Sequence, residues 1–155
     1  MFNGIVKSIA ILASLMGLIV MSLAIGNAKS ADALQFADYP ATEKFSGTPG
    51  EIDFSSDQRW QAVRPVVKDI VREDVAKGPN FAGAYRLGEI GCGTACQNIF
   101  AVDLRDGRTI WAPIAPTAGV LFQKDSRLII VRKNDIYKLP RRYLVLENGK
   151  ITELK

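Results

Sequence analysis

Two cysteines, Cys92 and Cys96, lie four positions apart in a glycine-rich stretch, residues 78–104, that reads GPNFAGAYRLGEIGCGTACQNIFAVDL. A disulfide requires Cα atoms about 4.4–6.8 Å apart, whereas four steps along an extended strand separate them by roughly 13 Å. A helix would also bring the two together, but the intervening Gly93 and Thr94 are poor helix formers. The spacing therefore predicts a tight reversal between two strands, with Gly91 or Gly93 available for positive φ.

The context of the pair favours a structural disulfide over a redox-active one. Thioredoxin-like motifs place two residues between the cysteines and set the first at a helix N-terminus. Here three residues separate Cys92 from Cys96, and the surroundings are a turn. In the chain-entropy model so small a loop stabilises by only about 2 kcal/mol, so the bridge would mainly fix local shape.

The N-terminal region has the form of a secretory signal peptide, residues 1–30. Residues 8–26 carry no charge, Lys7 precedes them, and small residues suited to cleavage follow at 28–33. The alternative is an uncleaved anchor in the inner membrane, because nineteen residues in a helix span roughly 28 Å. Export predicts a periplasmic or secreted location, where disulfides persist.

The charge of the exported part gives little support to nucleic acid as a partner. The chain has 20 basic and 16 acidic residues, a net charge of +4. Removing Lys7 and Lys29 leaves 18 basic residues against the same 16, so the net charge falls to +2. We expect no nucleic-acid binding, and membrane contact only through residues 8–26 if they are retained.

The order of patterns predicts an irregular lead-in, residues 31–54, followed by one domain, residues 55–155. Prolines and glycines interrupt the lead-in. Asp57 offers N-cap chemistry ahead of a helical run whose apolar residues recur every three or four positions. Pro65 would kink this helix or restart it. The apolar stripe consists of Trp60, Val63, Val67, Ile70, Val71 and Val75.

Short alternating runs after the helix predict strands. Asp106-Gly107 and Asn148-Gly149 predict type I′ hairpins, and residues 128–131, apolar on both faces, predict a central strand. The expected fold class is α+β, an antiparallel meander of about six short strands with the N-terminal amphipathic helix packed on one face. The runs are residues 85–90, 97–104, 109–112, 120–122, 128–131, 143–147 and 150–154.

The block GPNFAGAY, followed by GCGTAC, VDLRDG and DSRLIIV, resembles an uncharacterised family of small exported bacterial proteins. The resemblance covers roughly residues 71–154. Ala84 stands where that family commonly has histidine, and Ile90 where it commonly has tryptophan. The resemblance implies export and a similar fold, and it implies no activity.

The absence of histidine excludes several kinds of catalytic and metal site. A chain with no histidine has no serine-histidine or cysteine-histidine nucleophile and no histidine-ligated metal. Two cysteines do not fill a four-thiolate zinc site, so we expect neither metal nor cofactor. Carboxylates remain as possible acids and bases, with Glu89 the best candidate and Asp103 or Asp125 as its second member.

Binding residues are sought among the polar groups of the glycine-rich stretch and in a basic cluster near the C-terminus. The candidates are Asn80, Tyr85, Arg86, Glu89, Arg141 and Arg142. Asn80 is also expected to bond local backbone, and Tyr85 to act as a core anchor together with Phe81. The basic cluster could meet anionic lipid, lipopolysaccharide or cell-wall phosphate, although such a run is also typical of a solvated loop. It comprises Arg132, Lys133, Lys138, Arg141 and Arg142.

Together these patterns favour a small exported, non-catalytic binding or accessory protein of the bacterial cell envelope. Its partner would be an envelope protein or a glycan. Two alternatives remain open: a carboxylate-dependent hydrolase acting on envelope glycans, and a structural factor anchored in the inner membrane. An enzymatic role is disfavoured because no nucleophile constellation is present.

Overall fold

The computed structural model of the chain describes residues 33–155, and the predicted signal segment, residues 1–30, lies outside them. The described part contains two short 3-10 helices, Phe36–Asp38 and Gln58–Ala62, and one α-helix, α1, Pro65–Val75. Seven strands follow: β1 Tyr85–Gly93, β2 Cys96–Asp103, β3 Thr109–Trp111, β4 Val120–Phe122, β5 Leu128–Val131, β6 Arg142–Glu147 and β7 Lys150–Leu154.

The strands form two antiparallel sheets, of order β1-β2-β3 and β4-β5-β6-β7. The fold is thus mostly antiparallel strand with one short α-helix, which is roughly α+β, and the prediction of a single meander of about six strands is wrong. The break comes between β3 and β4, where Pro113 and Pro116 lie. Proline lacks the N–H that a ladder needs, so the chain leaves the first sheet here and begins the second.

The predicted amphipathic run is divided at Pro65 into two helices. Asp57 caps the 3-10 helix by accepting a hydrogen bond from the N–H of Arg59 (2.9 Å). Pro65 then begins α1 at the first helical position, where its missing N–H leaves no bond unmade. Because the run is divided, the predicted stripe is only partly buried: Val71 and Val75 are buried, whereas Ile70 is 59% exposed.

The two sheets pack face to face around one core, which we call the inter-sheet core. Ile99 and Ala101 of β2 both lie in it, because every second side chain of a strand points to the same face of the sheet. All four residues of β5 are buried between β4 and β6, which confirms the predicted central strand.

A second core, the helix-side core, fills the space between α1 and the outer face of the three-stranded sheet. Phe100 and Val102 point into it from β2, and Val71 and Val75 from α1. Trp60 is its centre, fully buried, with its Nε1–H donating to the Thr109 hydroxyl (2.9 Å). The resulting order of layers is helix, three-stranded sheet, four-stranded sheet.

The predicted lead-in is bonded along its length to the loops of the two sheets. The N–H of Ala41 donates to the Asp125 carbonyl, and the N–H of Phe45 donates to the Gly83 carbonyl. Further along, the N–H of Asp53 donates to the Gly107 carbonyl (2.9 Å). These bonds hold residues 41–53 against the sheet loops.

Candidate functional site

The glycine-rich turn between β1 and β2 closes with the Cys92–Cys96 disulfide, as predicted. The two Cα atoms are 5.1 Å apart, and neither cysteine is free. Gly93 (φ 133°) and Ala95 (φ 52°) take the positive φ values of the turn. The sulfur atoms therefore hold the end of a hairpin.

Three of the predicted binding residues are occupied by structural contacts. Asn80 donates from its side-chain amide to the Leu87 carbonyl (3.0 Å) and accepts from the Leu87 N–H (2.7 Å). Tyr85 is buried and accepts a hydrogen bond from Arg105. Arg86 donates two hydrogen bonds to Asp74 (2.8 and 2.7 Å), and these lower the pKa of Asp74. None of the three presents a free polar group for a ligand.

Glu89 lies at the edge of the inter-sheet core, opposite Ile99. Burial raises the pKa of its carboxyl group, and Arg132 partly opposes that rise. A raised pKa is typical of a catalytic acid, so the position of a second carboxylate decides whether the site could be an acid pair.

Neither predicted second member lies near Glu89. Asp103 pairs with Tyr85, four residues further along the same ladder, which places it roughly 13 Å away. Burial acts to raise the pKa of the Asp103 carboxyl group, but its interactions, chiefly the hydrogen bonds from Arg105, leave that pKa lowered. Gly119, before β4, lies beside the Glu89 carboxylate, whereas Asp125 follows the far end of that strand. Glycosidase pairs are about 5–9.5 Å apart, so this geometry does not suit them.

Three exposed apolar side chains lie in the connection between β5 and β6. We call this connection, together with Arg142 at the start of β6, the tip loop, residues 132–142. Ile136 is 86% exposed, Tyr137 54% and Leu139 46%. They are half of the six large apolar residues that are exposed within residues 33–155. Contiguous exposed apolar surface on a soluble domain commonly marks an interaction site.

Asn134 gives the tip loop a fixed shape. It is 9% exposed, and its amide nitrogen donates to the Thr117 hydroxyl (2.7 Å). Its side-chain oxygen accepts from the N–H groups of Ile136 and Tyr137 (3.1 and 3.2 Å). Its backbone exchanges two hydrogen bonds of 2.9 Å with Leu139. The apolar side chains are thus displayed on an ordered turn.

Cations surround this apolar turn. Arg142 is bound by Glu153 through two nitrogens, and Lys133 pairs weakly with the exposed Asp135 (3.2 Å). No ion pair among residues 33–155 engages Lys138 or Arg141. Of the two predicted basic binding residues, Arg141 is therefore free for an anionic partner and Arg142 is already neutralised.

The cations of the tip loop were predicted from the sequence, but Ile136 and Leu139 were not among the predicted binding residues. Their exposure could have been predicted from their position in the sequence. Ile136 and Leu139 lie between the turn residues Asn134-Asp135 and Pro140, and side chains in a turn have few neighbours to pack against.

The chain matches no protein-family model, no curated protein and no solved structure. The family resemblance of the glycine-rich block therefore stays a prediction. Within the described range, no cluster of three or more cysteine or carboxylate residues is placed to hold a metal ion. None of the helices in residues 33–155 is long and apolar enough to cross a membrane.

Proposed function

We propose that the chain is a small exported, non-catalytic accessory protein of the bacterial cell envelope that docks through its tip loop onto an anionic lipid surface. The observation that carries this proposal is the tip itself: Ile136, Tyr137 and Leu139 stand exposed on an ordered turn, with Lys138 and Arg141 beside them.

The chemistry of the tip suits the interface of a membrane better than a dry protein groove. Apolar side chains enter the boundary between head groups and acyl chains, while lysine and arginine remain at the phosphates. Each cation near an anionic surface contributes about 1 kcal/mol. Since Lys138 and Arg141 carry no intramolecular ion pair within the described residues, binding need not break one.

Two further features support export and an accessory role. The disulfide is compatible with an oxidising compartment, and the family resemblance of the glycine-rich block implies export. The separation of Glu89 from both other candidate carboxylates supports a non-catalytic role over glycan hydrolysis. The third hypothesis, an inner-membrane anchor, depends on residues 8–26, which lie outside the described residues.

Sedimentation with lipid vesicles tests this function. The protein is expressed with its own N-terminal segment and recovered from the soluble periplasmic fraction, and its intact mass gives the mature N-terminus. We expect binding to vesicles that contain phosphatidylglycerol and little binding to pure phosphatidylcholine. The double variant Ile136→Ser/Tyr137→Ser should weaken binding about tenfold or more, because two partly inserted side chains lose apolar transfer energy.

A matched control distinguishes the tip from general surface apolarity. Val66 and Ile70 on α1 are also exposed, 55% and 59%, so Val66→Ser/Ile70→Ser removes a similar apolar surface elsewhere and should leave binding unchanged. Equal loss in both double variants, or equal binding to both kinds of vesicle, would refute the tip loop as the docking site. An intact mass that still includes residues 1–30 would contradict cleaved export.

A further inference from the structure

The turn that carries the disulfide, residues 91–96, which we call the disulfide turn, lies at the same end of the two sheets as the tip loop. The connection between β3 and β4 joins the two. On one side of this connection, the N–H of Arg132 donates to the Gly119 carbonyl (3.2 Å). On its other side, the N–H of Gln97, next to the disulfide turn, donates to the Pro116 carbonyl (3.0 Å). We call this end of the molecule the disulfide end.

The tip loop and the disulfide turn project from one level of the sheets. The tip loop starts at Arg132, whose N–H is bonded to Gly119, and a Cβ built on Gly119 would lie 3.6 Å from the Glu89 carboxylate. The disulfide turn starts at Gly91, which follows Glu89 closely along β1. A surface that meets the end of one loop is therefore placed to meet the other.

The disulfide end carries an excess of positive charge. Three acidic side chains there each have a basic neighbour, whereas Lys138 and Arg141 have no ion pair among the described residues. The three neighbouring pairs are Glu89 with Arg132, Asp135 with Lys133, and Glu153 with Arg142. This balance favours an anionic partner.

The opposite end of the sheets carries charges that largely neutralise one another. Arg105 pairs with Glu43 and Asp103, and Arg127 pairs with Glu147 (3.0 Å). Charge complementarity orients two surfaces as they approach each other. An anionic surface is therefore attracted more strongly to the disulfide end.

The disulfide turn itself presents no group that an anionic surface would repel. Residues 91–95 are all exposed, and none of them is charged. The bridge between Cys92 and Cys96 closes the turn, so little chain entropy is lost when the turn makes a contact.

On the basis of the docking function proposed above, we propose that the disulfide turn makes a second contact with the same anionic lipid surface. The disulfide end faces the lipid, with the apolar side chains of the tip loop among the head groups and the disulfide turn resting on them. The opposite end remains in water. This inference depends on the proposed function and adds to it the orientation of the molecule.

A series of charges at Thr94 tests this contact by sedimentation with phosphatidylglycerol vesicles. Thr94 is exposed in the disulfide turn and is not part of the tip loop. We expect Thr94→Glu to bind about fivefold more weakly and Thr94→Lys about fivefold more tightly, because a charge beside an anionic membrane shifts binding by about that factor. Thr94→Gln, which is neutral, should bind as the unmodified chain does. A failure to fold would not produce the gain expected for Thr94→Lys.

The same series at Thr42 is the matched control. Thr42 is exposed and lies beside Asn148 and Gly149, in the β6–β7 turn at the opposite end. At about 0.15 M salt, a charge acts over only about 8 Å. Thr42→Glu and Thr42→Lys should therefore bind as the unmodified chain does.

Equal binding of Thr94→Glu and Thr94→Lys, or equal effects of the same charge at Thr94 and at Thr42, would overturn the second contact. If Ile136→Ser/Tyr137→Ser still weakens binding in that case, the tip loop remains the docking site and only the orientation is wrong. If the unmodified chain does not bind phosphatidylglycerol vesicles, both the proposed function and this inference are wrong.

Discussion

Replacing Trp60 with alanine is expected to lower the free energy of unfolding by about 3–5 kcal/mol. Trp60 is fully buried and contacts three aromatic rings, those of Phe54, Phe100 and Trp111, with centroid distances of 4.7, 5.1 and 4.9 Å. The substitution removes these contacts and also the hydrogen bond to Thr109. The measurement is the change in urea-unfolding free energy, with the disulfide intact.

Two further substitutions make the Trp60 result interpretable. Trp60→Phe keeps an aromatic ring in the helix-side core and loses the indole donor, so it should fall between the alanine variant and the unmodified chain. Ile70→Ala, on the exposed face of α1, should change stability by no more than about 0.5 kcal/mol. A loss below about 1 kcal/mol for Trp60→Ala would mean that α1 and the first sheet are not joined through this residue.

Replacing Gly107 with alanine is expected to destabilise the protein by about 3–4 kcal/mol. Gly107 has φ +75°, and a Cβ there would lie 1.8 Å from the Glu51 carbonyl oxygen. A left-handed alanine alone costs about 1–2 kcal/mol. Relief of the clash requires residues 50–53 to move, which breaks the bonds of Gly50 to Leu104 and of Asp53 to Gly107, each worth about 1 kcal/mol.

Gly149→Ala is the matched control for this prediction. Gly149 also has positive φ, +68°, but nothing lies within 4 Å of a Cβ built there. It should therefore show only the left-handed cost of about 1–2 kcal/mol. The difference between the two unfolding free energies measures the docking of residues 50–53, and equal losses would show that this segment does not bind the β2–β3 loop.

The hairpins show which turns the sequence can specify. Asn148 (φ 49°) and Gly149 (φ 68°) are both left-handed, so the predicted type I′ turn between β6 and β7 is confirmed. The same prediction for Asp106-Gly107 is wrong, because within this pair only Gly107 has positive φ. Asp103 instead donates its N–H to the Arg108 carbonyl and accepts from the Gly107 N–H. Gly107 in this longer loop lies against the backbone of Glu51 and Ile52.

The division into two sheets could not be read from local patterns. Alternation along β2 places Phe100 and Val102 on one face and Ile99 and Ala101 on the other. Alternation does not say which element covers each face. In this chain α1 covers one and the second sheet the other, a choice that depends on contacts distant in sequence.

The positive charge of the tip loop could be predicted from the sequence, but the exposure of its apolar side chains could not. The sequence shows the cations around the tip loop, whereas the exposure of Ile136 follows from the turn that Asn134 organises. The pairing of Arg142 with Glu153 is likewise a product of the β6–β7 register.

Hydrogen exchange of the purified protein, with and without phosphatidylglycerol vesicles, tests the docking surface most directly. We expect vesicles to slow amide exchange in peptides that cover residues 132–142 and to leave exchange unchanged in peptides that cover Pro65–Val75. Protection of α1 with an unchanged tip loop, or vesicle binding without protection at the tip, would contradict it.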